Sequence, residues 1–172
     1  MTWTIYDSPL GPLTLVGAAG ALSGMCFPEY APTLPGADHR PAEFADAIRQ
    51  LDEYFAGTRT SFELKLDLRG TPFQMAVWDQ LRALAYGTTV SYGELARRIG
   101  RPERVRAVGG AVGRTPIPII VPCHRVIGAD GSLTGYGGGI DRKAALLSLE
   151  SSVASGREPE PAWHLRQLSI SI

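Results

Sequence analysis

The chain has 172 residues, a formal net charge of zero and 44% hydrophobic content, enough for one or two small domains with real cores. It carries neither an apolar run of transmembrane length nor a charged-then-apolar leader, so a soluble cytoplasmic protein is expected rather than a membrane or secreted one. Two cysteines (Cys26, Cys123) and three histidines (His39, His124, His164) show no paired ligand spacing, which argues against a structural zinc, and a cytosolic chain has little use for the one disulfide they allow.

The first third reads as strands. Trp3–Tyr6 and Leu13–Val16 flank the turn-forming Ser8-Pro9-Leu10-Gly11, and Gly17 to Gly20 mark a second turn before Ala21–Phe27. Residues 28–41, with four prolines, are expected to be a loop. Phe44, Ala47, Ile48, Leu51, Tyr54 and Phe55 recur at helical spacing, so Pro41–Ala56 is predicted as an amphipathic helix stopped by Gly57. Phe62, Leu64, Leu66 and Leu68 alternate with charged residues as in a half-buried strand. Cys26 sits in an apolar strand and reads as core.

The character changes at Gly70. Thr71, Pro72 and Gln74 form an N-terminal capping signature for a helix to about Ala85. Ser91 and Glu94 form a second such signature, for a short helix ending at Gly100, and Pro102 is expected to open a third helix reaching about Val112. Two short helices across a tight glycine-containing turn outline a helix-turn-helix. In the second, Arg104 and Arg106 accompany the small residues Ala107, Gly109 and Gly110. Glycines inside a helix cost roughly 1 kcal/mol each relative to alanine. Either a nucleic-acid backbone approaches this helix closely, or a neighbouring helix packs tightly against it.

Charge is distributed unevenly. Residues 1–71 carry five Arg/Lys against nine Asp/Glu, and residues 72–150 carry ten against six. From Arg97 to Arg114 six arginines meet only Glu103. Such a patch suits a polyanion, although it is also what a solvated helix face looks like.

Ile119 to Ile127 hold Pro122-Cys123-His124-Arg125 between apolar residues. A thiol beside a potential base and a permanent cation suggests a reactive thiolate, and Pro122 stiffens its backbone; a buried small hydrophobe is the competing reading of Cys123. In an extended segment neighbouring side chains point to opposite faces, so Cys123 and His124 need a water or a bend between them. The glycine-rich loop from Gly128 through Gly135-Tyr136-Gly137-Gly138-Gly139 suits backbone contacts to a flat ligand and lacks the phosphate-loop ending. Asp141 is expected to cap a last helix over 142–150, whose Glu150 could reach inward to orient His124. Much of the tail from Ser151 is expected to be mobile, with Trp163, Leu165 and Leu168 as candidates for docking. On these residues alone the chain is a redox-sensing regulator, a thiol hydrolase, or an enzyme that acts on a base flipped from a duplex.

The runs Gly70-Thr71-Pro72-Phe73-Gln74, Tyr86-Gly87, Ser91-Tyr92, Arg106-Ala107-Val108-Gly109, Ile119 to Gly128 and Gly135-Tyr136, in this order, resemble the O6-alkylguanine-DNA alkyltransferases, also called methylated-DNA–protein-cysteine methyltransferases. The likeness spans Ser8 to Glu150. Cys123 separates the chain from the alkyltransferase-like proteins, which carry tryptophan there and only bind lesions. The resemblance implies an α/β protein: a ribonuclease H-like sheet-and-helix domain (1–69), a helical DNA-binding and active-site domain with a helix-turn-helix (70–150), and a tail (151–172). It implies a single-use transfer of the alkyl group of O6-alkylguanine, and of O4-alkylthymine, to Cys123 after base flipping. His124 would take the thiol proton through a water and Glu150 would orient it. Tyr92 would hydrogen-bond the flipped base. Backbone groups at Cys123, Val126, Tyr136 and Gly137 would read its edge, with Lys143 nearby. Arg106 would fill the gap left in a duplex bound through its minor groove, with Ser91, Ala107, Gly109 and Gly110 at the surface. No cofactor, metal, membrane or obligate protein partner is implied, and a monomer able to assemble cooperatively on DNA is expected. Two positions depart from the pattern. Thr115 stands where the family usually has Asn, and Arg104 replaces a small residue on the groove-facing helix.

Overall fold

The computed structural model describes residues 1–158; the expected docking of Trp163, Leu165 and Leu168 lies outside them. The chain divides into two compact units, Met1–Arg69 and a second that begins at Gly70.

The first unit is a four-stranded sheet in the order β3-β2-β1-β4 with a helix against it. Strands β1 (Thr2–Ser8), β2 (Gly11–Ala18) and β3 (Ala21–Cys26) form the antiparallel meander expected from their turns. Leu13, Leu15 and Met25 fall on its buried face with Tyr6. Helix α1 (Ala45–Phe55) sets Ala47, Leu51, Tyr54 and Phe55 inward, and Tyr6 Oη donates to Asp52 at 2.7 Å. Its first turn is instead a separate 3-10 turn, Pro41–Phe44. The stretch expected to be a loop contains β4 (Asp38–His39), which pairs in parallel with Thr2 and Trp3.

The strand expected over Phe62–Leu68 is an extended segment that meets β3 at Leu22 alone, through Leu22 N–H to Lys65 O and Asp67 N–H to Leu22 O. The side-chain amide of buried Gln50 takes over where a ladder would run, donating to Glu63 O and accepting from Glu63 N–H. Alternation of side chains therefore reports which face is covered, without a sheet. Cys26 is half-buried at the end of β3.

The second unit is helical. Helix α2 (Pro72–Arg82) has the reciprocal capping box expected of Thr71 and Gln74. It ends before Ala85 because the Leu84 carbonyl is turned to Arg125 Nη1 at 2.8 Å. Strand β5 (Val90–Ser91) leads into α3 (Tyr92–Arg98), where Ser91 Oγ accepts the Glu94 amide. That second box is half formed: the Glu94 carboxylate turns to Arg97 and Arg98. Helix α4 (Val105–Gly113) starts later than Pro102, because Arg101 to Arg104 close a separate turn and Arg104 is not helical. The face of α4 carrying Val108, Ala111 and Val112 is buried, and Trp78 Nε1 donates to Ala111 O at 2.9 Å. Strand β6 (Val126–Ile127) pairs in parallel with β5. Helix α5 runs Ile140–Ala154, capped by Gly139 rather than by Asp141, and so passes through Glu150 into residues expected to be tail. Asp141 sits in its first turn, where a carboxylate complements the helix dipole.

Candidate active site

Cys123 lies in a short 3-10 turn, Cys123–Arg125, after Pro122 (φ −79°, ψ 63°). The bend replaces the extended run in which Cys123 and His124 would face apart. The approach is a tight turn, with Val121 N–H to Ile117 O and Cys123 N–H to Val121 O, and it places buried Ile119 at φ 73°. A β-branched residue in the left-handed region costs about 1–3 kcal/mol, held here by the packing around it. Nothing in the sequence signalled that strain.

The thiol, the imidazole and the carboxylate expected to act together are all buried: Cys123 is 4% exposed, His124 0% and Glu150 1%. His124 Nε2 is 2.7 Å from Glu150 Oε1. Arg125, 6% exposed, clamps the same carboxylate, with Nε to Oε2 at 2.8 Å and Nη2 to Oε1 at 2.9 Å. The Gly87 amide reaches Oε2 at 3.3 Å. Gly87 has φ 75°, and a Cβ there would stand 2.6 Å from that of Ala154, so α5 passes too close for a side chain.

Charges follow from these partners. Burial works to raise the Glu150 carboxyl, but His124 and Arg125 overcome it and hold it at about 2. Burial pushes His124 down, against the pull of Glu150 and with help from Arg125 and Lys143. The imidazole is therefore neutral beside an ionised carboxylate. Nε2 carries the proton and donates to Glu150, which leaves Nδ1 an acceptor; this buried nitrogen has no protein partner.

Burial also pushes the Cys123 thiol up to about 11, against Thr115 and the Lys143 ammonium. This corrects the expectation that the adjacent arginine lowers it. Arg125 spends its charge on Glu150, and the cation that acts on the sulfur is Lys143. At neutral pH the sulfur holds its proton.

The glycine-rich loop closes the other side. Tyr92 Oη donates to Thr134 O at 2.9 Å, and Lys143, 1% exposed, donates to Thr134 O at 3.0 Å and to Val126 O. Burial and the neighbouring Cys123 raise the Tyr92 phenol, so it keeps its proton. Gly135 stands where a Cβ would come 3.2 Å from Tyr92 Oη. The Tyr136 hydroxyl is buried without a hydrogen-bond partner, and Gly137 is exposed near the Gly113 carbonyl at the end of α4. Tyr92, Tyr136 and Lys143 are close enough to Cys123 to exchange electrostatic influence with it, and Lys143 also holds Val126 O. Thr115 Oγ1 donates to Val112 O at 2.7 Å.

Residues expected at a DNA surface lie at the start of α3 and on α4, with Gly109 beside the Tyr92 ring. Arg106 is exposed, and Ala107, Gly109 and Gly110 are half-buried. Glu94 offsets Arg97 and Arg98, a pairing overlooked when only Glu103 was set against the patch. Arg104 lies over the Phe73 ring at 4.5 Å, which bolts the start of α4 to α2. A Cβ on Gly109 would meet only the Tyr92 ring at 3.8 Å, and one on Gly110 the mobile end of Arg114 at 3.2 Å. Packing inside the unit does not require glycine at either position.

The α3–α4 helix-turn-helix and a buried cysteine, histidine and glutamate share one unit, which fits a DNA-binding protein with a reactive cysteine. Residues 72–152 match the 6-O-methylguanine DNA methyltransferase DNA binding domain and residues 1–68 the ribonuclease-like domain of the same proteins, and the chain belongs to that family. It is 55% identical over 150 residues to the methylated-DNA–protein-cysteine methyltransferase of Mycobacterium tuberculosis, covering 86% of this chain and 91% of that one. To the Methanosarcina acetivorans protein of the same name it is 47% identical, over 88% and 99%. The crystal structure of Mycobacterium tuberculosis OGT in complex with DNA matches with a TM-score of 0.88 at 48% identity, over 95% and 99%. The mixed α/β fold with a small sheet and a helical domain agrees with the expectation from sequence.

Proposed function

We propose that the chain is a DNA-repair methyltransferase that moves the alkyl group of O6-alkylguanine, and of O4-alkylthymine, in duplex DNA irreversibly onto Cys123. The observation that carries this reading is the buried thiol, held protonated, next to a neutral histidine whose Nδ1 is unpartnered and whose Nε2 is fixed by Glu150. A thiol of this kind is inert alone and becomes a nucleophile when a base removes its proton in the transition state.

The sulfur attacks the O6-alkyl carbon, the carbon–oxygen bond breaks, and the thiol proton passes through a water to His124 Nδ1. Glu150 stabilises the imidazolium that forms. Tyr92 turns its hydroxyl from Thr134 O to the base and gives the departing guanine its proton, so that guanine leaves neutral; the imidazolium proton then returns through water to the phenolate, and in sum the thiol proton replaces the alkyl group. Backbone groups at Cys123, Val126, Tyr136 and Gly137 border the flipped base; Val126 O keeps one lone pair for it beside the bond to Lys143. A thioether is not reversed by any step of cysteine redox chemistry, so each chain acts once. No cofactor enters this scheme.

Delivery of the base falls to α4. Its glycines are dispensable for packing within the unit, which favours an external surface that must come close, as a minor-groove backbone does. Ser91, Ala107, Gly109 and Gly110 line that approach, Arg106 enters the gap left in the duplex, and Arg104 acts through Phe73 rather than as a free phosphate contact.

Incubation with an O6-methylguanine duplex, followed by intact mass, tests the reading. The expected result is one added methyl on the wild-type chain and none on Cys123→Ser; tight lesion binding with unchanged mass would make the chain a lesion sensor instead. Arg106→Ala is expected to weaken binding to the lesion duplex, and unchanged affinity and repair would remove the role given to that arginine.

A further inference from the structure

The start of α4 is weakly held. Arg101 to Arg106 are all exposed, and the first buried side chain of the helix is Val108. Among the described residues no side chain caps it: Arg104, at the cap position (φ −106°, ψ 35°), makes no capping bond, and no acidic residue stands in the first turn to meet the helix dipole. The Val108 amide closes that turn onto Arg104 O at 3.0 Å, and the poor helix formers Gly109 and Gly110 follow. A turn built in this way frays. The contact that opposes fraying is the Arg104 guanidinium over the Phe73 ring, 4.5 Å from its centroid. Phe73 is the second residue of α2 and half-buried, and the reciprocal Thr71–Gln74 box fixes the turn in which it stands. The ring is a fixed platform, on which a planar guanidinium stacks as an ammonium does not.

We propose that Arg104 is a positioning residue for DNA binding: stacked on Phe73, it pins the first turn of α4 and so aims Arg106, two residues further along that turn. The proposal rests on α4 being the helix that meets DNA and on Arg106 entering the duplex. A side chain that fills a gap in a base stack binds best when its backbone is ordered before the duplex arrives, because ordering it afterwards is subtracted from affinity. Arg104 and Phe73 supply that order in the free chain, and neither has to touch DNA.

The full chain is titrated with an O6-methylguanine duplex over a range of salt concentrations. Arg104→Gln and Phe73→Leu are each expected to weaken binding about threefold to fivefold, the worth of an exposed cation–π contact. The slope of log affinity against log salt is expected to stay unchanged, whereas loss of a phosphate contact reduces it by about one. In an Arg106→Ala background Phe73→Leu is expected to change affinity by less than about twofold, since no arginine is left to aim; a merely structural role gives additive losses instead. A full Phe73→Leu loss in that background, or a slope reduced by about one in Arg104→Gln, would overturn the proposal. Should Phe73→Leu fail to fold, Arg104→Gln combined with Arg106→Ala decides by the same criterion, and additive losses overturn it. Hydrogen exchange of the Val108 amide in the free chain, read by NMR, is the second arm. Arg104→Gln is expected to speed it about threefold to fivefold and to leave the amides of α3 unchanged. An unchanged rate at Val108 overturns the proposal. Faster exchange there, together with parent-like duplex binding by Arg106→Ala, would reject the DNA role of α4 and leave the pinned turn standing.

Discussion

At Glu150 donors from three described residues meet one carboxylate, among them His124 Nε2, Arg125 Nε and Nη2, and the Gly87 amide. Because its folded pKa lies near 2, below the ~4.3 of an unfolded glutamate, the group adds stability that is complete above about pH 4.5 and is lost as pH falls toward 2. The contribution is about 3 kcal/mol, and urea unfolding of wild type between pH 5 and 2 is expected to show a decline that is shallower in Glu150→Gln. The same substitution leaves Arg125 buried without a counter-charge, so at pH 7 it is expected to cost about 3–5 kcal/mol. It should also slow methyl transfer about 100-fold, with a changed pH–rate profile, because His124 loses the partner that fixes its tautomer. At this scale the sequence singled out Cys123, His124 and Glu150, and the fold buries all three. The sequence misdirected the reading of Arg125: adjacency to Cys123 suggested a charge acting on sulfur, while a carboxylate 25 positions later captures the guanidinium. The positive φ of Ile119 left no trace in residue type either.

Helix α4 shows the division of labour at the next scale. Its inward face, Val108, Ala111 and Val112, holds it against the unit, while Gly109 and Gly110 weaken it with no internal neighbour that demands them. Gly109→Ala and Gly110→Ala together are therefore expected to raise thermal stability, by about 1 kcal/mol per site, and to lower affinity for lesion duplex at least tenfold. Calorimetry and a binding titration check the two signs; a pair of alanines that stabilises the helix and leaves binding intact would return α4 to an ordinary packing role. Local signals were legible where they act locally. Thr71 and Gln74 close the box their spacing promised, and Thr71→Ala should cost about 1 kcal/mol of stability while leaving the rate of transfer unchanged. Distant partners erased other signals. Gln50 satisfies the segment that alternates like a strand, and Leu84 O turns to Arg125 beyond the end of α2.

Across the whole molecule, charge separates along the chain, −4 over residues 1–71 and +4 over 72–150. The second unit therefore carries the attraction for a polyanion, though Glu94 and Phe73 each engage arginines that the sequence left free. Binding to duplex should weaken linearly in log salt, and Arg106→Ala should reduce that slope if the arginine lies among phosphates, but lower affinity with little change of slope if it fills the stack. Family and fold were legible because long motifs recur in order, whereas the resting protonation of the site depends on burial, which sequence alone does not reveal. The claim on which all of this converges is that one chain takes one alkyl group and keeps it on Cys123. The most direct measurement mixes a limiting, known amount of protein with excess O6-methylguanine duplex and follows repaired guanine to its plateau, with peptide mass locating the methyl group. The expected result is a plateau of one guanine restored per chain, with the methyl on Cys123; continued turnover past that plateau, or restored guanine with Cys123 unmodified, would contradict it.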